Sequence, residues 1–154
     1  MKIRTLLQPE AIVVRADVQT KEQAIDLLVE LHEKVGHLSD QERYKQDVWK
    51  REGECVTAIG MGMAVPHAKS EAVKQPGLAA ITIPNGLDCQ ALDGKPTRLM
   101  FMIAAPDDGD LHLEMLSGLM SLLMEEERRE RLIQAETAEA FLAELEAAQE
   151  NEAV

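Results

Sequence analysis

The sequence predicts a single α/β domain, and three observations support this fold class. The chain has 154 residues and is 45% hydrophobic, which suits one compact domain with a complete core. Runs typical of strands alternate with segments whose apolar residues recur at helical spacing. No internal repeat or low-complexity linker interrupts this alternation. We therefore expect strands and helices intermixed in one domain over residues 1–150, followed by a tail at residues 151–154.

The first part of the chain predicts a strand followed by a helix. Residues 12–14 (IVV) form a β-branched run that is typical of a short strand. Thr20 stands three residues before Gln23 in a capping-box arrangement, and apolar residues then recur at helical spacing. His32 and His37 fall near the end of this helix, where a histidine can cap carbonyl groups or face solvent.

A second predicted helix leads into a glycine-bearing segment. Ser39 and Glu42 repeat the capping-box spacing, and the helix that they begin should end near Gly53. Arg51 lies in the last turn of this helix. Its guanidinium either complements the negative end of the helix dipole or reaches an anion gathered beside the helix end.

The second half of the chain predicts two strands and two helices. Residues 78–83 (LAAITI) are typical of a strand, which a turn at residues 84–86 (PNG) should end. Residues 98–104 (RLMFMIA) are almost continuously apolar, which predicts a central strand buried on both faces. A helix with a wide apolar face should begin at Asp110, and Thr137 should cap the last helix.

His67 stands directly after a proline at the end of the glycine-bearing segment, residues 55–69. Gly60 and Gly62 permit a positive φ or a close approach of the backbone to a ligand, and Pro66 fixes one backbone dihedral. Such a segment should hold an imidazole in one orientation. Imidazole is the side chain whose unperturbed pKa allows it to be a neutral nucleophile or base at cellular pH.

His112 is the polar exception near the start of the helix that begins at Asp110. A histidine in the first turn meets the positive end of the helix dipole, which disfavours its protonation. Backbone N–H groups at the same place point toward an approaching anion. The sequence leaves two interpretations open: a phosphate-binding position, or a histidine at a solvated helix end.

Charge and composition exclude several classes of partner. A formal net charge of −12 argues against nucleic acid or an anionic membrane as the main partner, and aromatic residues make up only 3% of the chain.

Cys55 and Cys89 have no metal-type spacing and are expected to be reduced thiols. The first residues lack the apolar run of a signal peptide, and nowhere do eighteen apolar residues follow one another. We therefore expect a cytoplasmic protein.

The histidines and glycines fit phosphoryl transfer better than other chemistry. The four histidines and two cysteines form no recognised metal motif, no GxSxG nucleophile elbow occurs, and the glycine-bearing segment lacks the Gly-Lys-Ser/Thr of a P-loop. The remaining candidates are His67, His112, Arg51 and glycine N–H groups. A phosphoryl group carried on an imidazole needs a neutral ring nitrogen, a nearby cation and donors at a helix start. We expect neither a metal nor another cofactor at this site.

Three separated motifs resemble a known family. They are Arg51-Glu52 followed by residues 57–69 (TAIGMGMAVPHAK), then residues 92–106 (LDGKPTRLMFMIAAP), then residues 112–116 (HLEML). In this order they resemble the enzyme IIA domain of the fructose/mannitol type from the bacterial sugar phosphotransferase system. The likeness covers almost the full chain and implies a mixed β-sheet flanked by helices.

The resemblance also implies a role for each candidate residue. His67 matches the phosphorylated histidine, which takes a phosphoryl group from the phosphocarrier HPr and gives it to a cysteine of an enzyme IIB partner. His112 matches the second histidine, which hydrogen-bonds the phosphoryl group and orients the first. Arg51 matches a basic residue near the site, and Thr57 of the same segment is a candidate phosphate-binding residue. Contact with a membrane would be indirect, through an enzyme IIC partner.

Two other functions remain possible from the sequence. A regulatory IIA protein of the nitrogen-related branch would use the same histidine chemistry to report its phosphorylation state by binding a target, without moving a sugar. A binding module that has lost the chemistry is the third interpretation, and the joint presence of His67, His112 and Arg51 argues against it.

Overall fold

The computed structural model describes residues 2–152, in which helices surround a central sheet. Within this range the α-helices are α1 (Ile3–Leu6), α2 (Lys21–Lys34), α3 (Gln41–Glu54), α4 (Leu111–Leu122), α5 (Glu126–Gln134) and α6 (Ala138–Glu152). A 3-10 turn, Pro9–Ala11, separates α1 from the first strand. The last helix continues past the predicted domain end at residue 150, and residues 153–154 of the predicted tail lie outside the described residues.

The strands of the described chain form one mixed sheet. They are β1 (Ile12–Val13), β2 (Ala58–Gly60), β3 (Met63–Ala64), β4 (His67–Lys69), β5 (Gly77–Leu87) and β6 (Thr97–Ala105). Their order is β1-β5-β6-β3-β2, and β4 pairs with β6 next to the β3 pairing. Strands β5 and β6 are antiparallel, whereas β3 and β4 run parallel to β6. The predicted mixed sheet flanked by helices is therefore confirmed.

Strand β6 forms the centre of the core. Every residue from position 99 to position 105 is buried, which confirms the predicted central strand. Helix α2 packs against β5 and β6, α3 against β4, α4 against β6, and α5 against β5 and β6. The rings of Phe101 on β6 and Phe141 on α6 lie 5.8 Å apart between centroids. Strand β5 therefore lies along one edge of β6, strands β3 and β4 lie along the other, and helices cover its side chains. The last residues of β6, 103–105, pair with β4 and so position it.

The two predicted capping boxes have different outcomes. The first is confirmed, because the hydroxyl of Thr20 accepts a hydrogen bond from the backbone N–H of Gln23 at 3.1 Å. The second is wrong by one residue. Asp40, not Ser39, is the N-cap of α3 and accepts from the N–H of Arg43 at 3.1 Å. The Ser39 hydroxyl donates instead to a carbonyl in the segment after β4, so it cannot cap the helix.

The predicted turn at residues 84–86 is also wrong. Strand β5 continues to Leu87, with a shift of its register against β6 after Thr82. The guanidinium Nε of Arg98 on β6 donates to the carbonyl of Pro84 at 3.1 Å. This contact holds the chain beside β6, although its residue types alone predict a reversal.

His32 and His37 are buried, so of the two predicted positions, capping carbonyl groups or facing solvent, the solvent-facing one is wrong. Their Nδ1 atoms lie 2.9 Å apart, and Nε2 of His32 lies 3.0 Å from the carbonyl oxygen of Met102 on β6. Burial lowers the pKa of His32 to about 3. Gly77 passes so close to the ring of His37 that a Cβ there would lie 2.2 Å from Cε1. The pair is a packed polar cluster between α2 and the sheet.

Candidate functional site

A pocket of about 280 Å³ lies where α3, β4 and the first turn of α4 meet. Its lining consists of Asp47, Lys50, Arg51, Glu54, His67, Ala68, Lys69 and His112. Three of the residues predicted from the sequence, His67, His112 and Arg51, therefore share one cavity. Thr57 does not line it.

The backbone of His67 is fixed by the sheet. His67 is the first residue of β4 and lies opposite Ile103 of β6. The carbonyl of Pro66 accepts from the N–H of Ile103 at 3.1 Å, which holds the residue before the histidine as well. Gly60, the last residue of β2, and Gly62, in the turn between β2 and β3, have positive φ angles of 93° and 77°. The predicted loop is thus a short hairpin that leads into a strand.

The imidazole of His67 is held in one tautomer. Its Nδ1 lies 2.7 Å from the carbonyl oxygen of Val65. Because a carbonyl can only accept, Nδ1 carries the hydrogen and Nε2 of the neutral ring keeps its lone pair. Burial lowers the pKa of His67, the charge of Arg51 lowers it further, and the Val65 carbonyl and Glu52 oppose them. The ring is therefore neutral at pH 7 and has one free nitrogen.

His112 brings a second imidazole to the pocket. It is half-buried in the first turn of α4, and its Nδ1 is buried without a hydrogen-bond partner among residues 2–152. Burial lowers the pKa of His112, and the charge of Lys69 and the nearby His67 act in the same direction. An unpaired ring nitrogen beside the open N–H groups of a helix start suits an anionic oxygen.

Arg51 both caps α3 and lines the pocket. Its Nη1 donates to the carbonyl of Cys55, the C-cap residue of α3, at 2.9 Å. The same side chain lines the pocket, and its charge lowers the pKa of His67. Capping the helix therefore holds the guanidinium near the imidazole, where it can meet an anion.

Sequence reasoning missed two further cations, Lys69 and Lys50, that line the pocket. Lys69 follows His67 by two residues on β4, and this period-2 spacing puts both side chains on one face of the strand. Two carboxylates, Asp47 and Glu54, also line the pocket, but Asp47 already accepts hydrogen bonds from side chains of α3 and of the segment after β4. Three cationic side chains and two carboxylates therefore line the pocket, and this excess of positive charge favours an anionic ligand.

Thr57 is buried beneath the hairpin and its polar groups are already paired. Its hydroxyl donates to the carboxylate of Glu52, and its backbone N–H donates to the same carboxylate at 3.1 Å. Lys21 forms an ion pair of 2.6 Å with Glu52. Direct phosphate binding by Thr57 stays a prediction. Glu52 stands beside Arg51 in the quoted motif, and this was the one sequence signal for it.

Two kinds of feature are absent from residues 2–152. No group of three or more histidine, cysteine, aspartate or glutamate side chains is arranged to hold a metal ion. No helix in this part of the chain combines the length and the apolar character needed to cross a membrane.

Residues 5–148 match the family described as "Phosphoenolpyruvate-dependent sugar phosphotransferase system, EIIA 2". The fructose-specific EIIABC component of Bacillus subtilis is 41% identical over 92% of this chain, which spans 22% of that longer protein. The fructose-specific EIIA component of Haloferax volcanii is 39% identical, and the match covers 93% of this chain and 96% of that relative.

Solved structures share the fold. The nitrogen regulatory protein IIA-Ntr of Neisseria meningitidis has a TM-score of 0.85 and 30% identity, covering 93% of this chain and 98% of that one. Enzyme IIA mannitol of Escherichia coli, solved as a complex with phosphorylated enzyme IIB mannitol, has a TM-score of 0.80 and 28% identity, covering 92% and 99%. The resemblance predicted from the three motifs is confirmed: the chain belongs to the EIIA type 2 family of the phosphoenolpyruvate-dependent sugar phosphotransferase system.

Proposed function

We propose that Nε2 of His67 accepts a phosphoryl group from phosphorylated HPr and passes it to a cysteine of an enzyme IIB partner. The observation that supports this most directly is the 2.7 Å hydrogen bond from Nδ1 of His67 to the carbonyl of Val65. It leaves Nε2 as the free nitrogen of a neutral ring in a pocket lined by cations.

The transfer onto His67 requires no proton movement. The lone pair of Nε2 attacks phosphorus, an N–P bond forms, and the bond between phosphorus and the donor atom breaks with its electron pair returning to the donor. Because Nδ1 keeps its hydrogen, the phosphorylated ring carries a positive charge next to the accepting carbonyl of Val65. When a thiolate attacks the phosphorus, the ring leaves as the neutral imidazole from which it started.

Arg51, Lys69 and His112 stabilise the charge on the phosphoryl oxygens in this proposal. All three line the pocket with His67. A cation or N–H group fixed in place before the reaction stabilises a transition state without paying for reorganisation at that moment. Thr57, which is buried and does not line the pocket, contributes through the placement of the hairpin.

The experiment is phosphorylation of the purified chain with phosphoenolpyruvate, enzyme I and HPr. We expect an alkali-stable, acid-labile phosphate on the wild type and none on His67→Ala. Full labelling of the variant would exclude His67 as the acceptor.

We further propose a role in the uptake of a fructose-type sugar. The relatives with the names of fructose-specific components are 39–41% identical to this chain, whereas the nitrogen regulatory protein is 30% identical. That last likeness, with its TM-score of 0.85, makes nitrogen-type regulation the second candidate. In the proposed scheme the protein acts in the cytoplasm and meets the membrane only through an enzyme IIC partner.

Transfer to an isolated enzyme IIB domain distinguishes the two roles. For the uptake role, the labelled protein should lose its phosphate to the cysteine of a fructose-type IIB domain and not to a Cys→Ser variant of that domain. Retention of the label in the presence of IIB would favour the regulatory role.

A further inference from the structure

We infer that Glu52, fixed by Lys21, is a positioning residue that orients the imidazole of His67 through Thr57 and Val65. This inference rests on the proposed function of His67. It adds to that function a residue, Glu52, that does not itself contact the phosphoryl group. Glu52 lies on α3 one residue after Arg51, yet it points away from the pocket that Arg51 lines.

The carboxylate of Glu52 is a buried anchor. Its side chain is 2% exposed, and it accepts from the ammonium of Lys21 at 2.6 Å and from the N–H of Thr57 at 3.1 Å. Its other oxygen accepts from the hydroxyl of Thr57. A buried charge with an ion-pair partner and two further donors is held firmly, because any displacement leaves it unpaired.

Thr57 and Val65 connect this anchor to the imidazole. The carbonyl of Thr57, just before β2, accepts from the N–H of Val65, just after β3, at 3.0 Å. The carbonyl of Val65 then accepts from Nδ1 of His67 at 2.7 Å. Each residue in the path donates to the one before it, so the position of the Val65 carbonyl depends on where Glu52 holds Thr57.

The Val65 carbonyl decides which tautomer of His67 is populated. If it moves out of hydrogen-bond range, Nδ1 loses its acceptor and the hydrogen can reside on Nε2. Nε2 then has no lone pair with which to attack phosphorus. The negative charge of Glu52 also raises the pKa of His67, which opposes the lowering by burial and by Arg51 and preserves the basicity of Nε2.

Thr57→Val tests the path with a change of one hydroxyl to a methyl group. The matched control is Thr82→Val, because the buried hydroxyl of Thr82 on β5 accepts from the N–H of Arg15 at 2.7 Å, away from the pocket. The two measurements are the rate of phosphoryl transfer from phosphorylated HPr and the imidazole ¹⁵N shifts of His67 in the unphosphorylated protein, which report its tautomer.

We expect Thr57→Val to slow transfer on the order of 10- to 100-fold, the range that a misplaced reacting group can cost. Its His67 spectrum should change from the single Nδ1–H tautomer to a mixture of both. Thr82→Val should keep the wild-type tautomer and rate. Thr57→Ser, which retains the hydroxyl, should restore both.

Glu52→Gln provides a second variant if Thr57→Val does not fold. It keeps the shape of the side chain and removes the charge, so we expect a mixed tautomer and a lowered pKa of His67. If the spectrum of His67 in both variants matches that of the Thr82→Val control, the inference is overturned. Because these spectra need no phosphoryl donor, they test it separately from the labelling of His67→Ala, which tests the proposed function.

Discussion

Nδ1 of His32 and Nδ1 of His37 lie 2.9 Å apart, and only one distribution of hydrogens satisfies both rings. Nε2 of His32 must donate to the carbonyl of Met102, so Nδ1 of the neutral His32 ring is an acceptor. His37 therefore donates from Nδ1. Protonation of His32 would place two hydrogens between the rings and destroy the pair.

Because of this pair, the stability of the protein should depend on pH even at pH values above those at which carboxylates titrate. Burial lowers the pKa of His32 to about 3 and also lowers that of His37. The unfolded chain therefore binds more protons than the folded chain below about pH 6.5, and stability falls as pH decreases from there toward the folded pKa. The titration of His32 alone should lower the free energy of unfolding by about 1.4 kcal/mol between pH 7.5 and pH 5.5.

Urea unfolding at these two pH values measures the effect. Variant His32→Gln lacks the titrating group, so it should lose about 1.4 kcal/mol less than the wild type over the same interval, whatever its stability at pH 7.5. An equal loss in the two proteins would contradict the assignment.

Because Gly77 lies so close to His37, the protein should not tolerate even one methyl group added at position 77. A Cβ at Gly77 would lie 2.2 Å from Cε1 of the ring, so Gly77→Ala should destabilise the protein by about 2 kcal/mol. Gly53→Ala is the control, because Gly53 lies in α3 with nothing within 4 Å of an added Cβ. Thermal unfolding should show a lower midpoint for the first variant and an unchanged or higher one for the second.

Removal of the second imidazole should impair transfer and leave the fold intact. Nδ1 of His112 has no partner in the described chain, so His112→Ala removes no hydrogen bond of the free protein. We expect transfer from phosphorylated HPr to slow about 100-fold, as for loss of one preorganised donor. Urea unfolding should show wild-type stability. Transfer at the wild-type rate in both directions would exclude His112 from the mechanism.

Two of the pocket cations, Arg51 and Lys69, should act on different histidines. The charge of Arg51 lowers the pKa of His67, and the charge of Lys69 lowers that of His112. Arg51→Gln should therefore raise the pKa of His67, and Lys69→Gln should raise that of His112. Titration of both rings by NMR tests the assignment, and each variant serves as the control for the other. Equal shifts of both rings in either variant would contradict it.

Local patterns predicted the longer helices and the two long strands, and the motif resemblance predicted three residues that line the pocket. The continuous apolar run of β6 and the cap at Thr20 depend on neighbouring residues, so the sequence sufficed for them. The buried histidine pair could not be predicted, because the carbonyl that satisfies His32 lies 70 residues away. Glu52 was missed for a similar reason: an acidic residue on a helix usually faces solvent, and here Lys21 from another helix makes its burial possible.

The hydrogen bond between the N–H of Val65 and the carbonyl of Thr57 closes the base of the β2–β3 hairpin. The tip beyond it is held by a separate contact, because the N–H of Met61 donates to the carboxylate of Asp93 at 2.9 Å. The turn is also bonded to β6, because the carbonyl of Gly62 accepts from the N–H groups of Arg98 and Leu99 at 2.8 Å and 3.0 Å. Because β6 also pairs with β4, which begins at His67, the hairpin and the imidazole share one supporting strand.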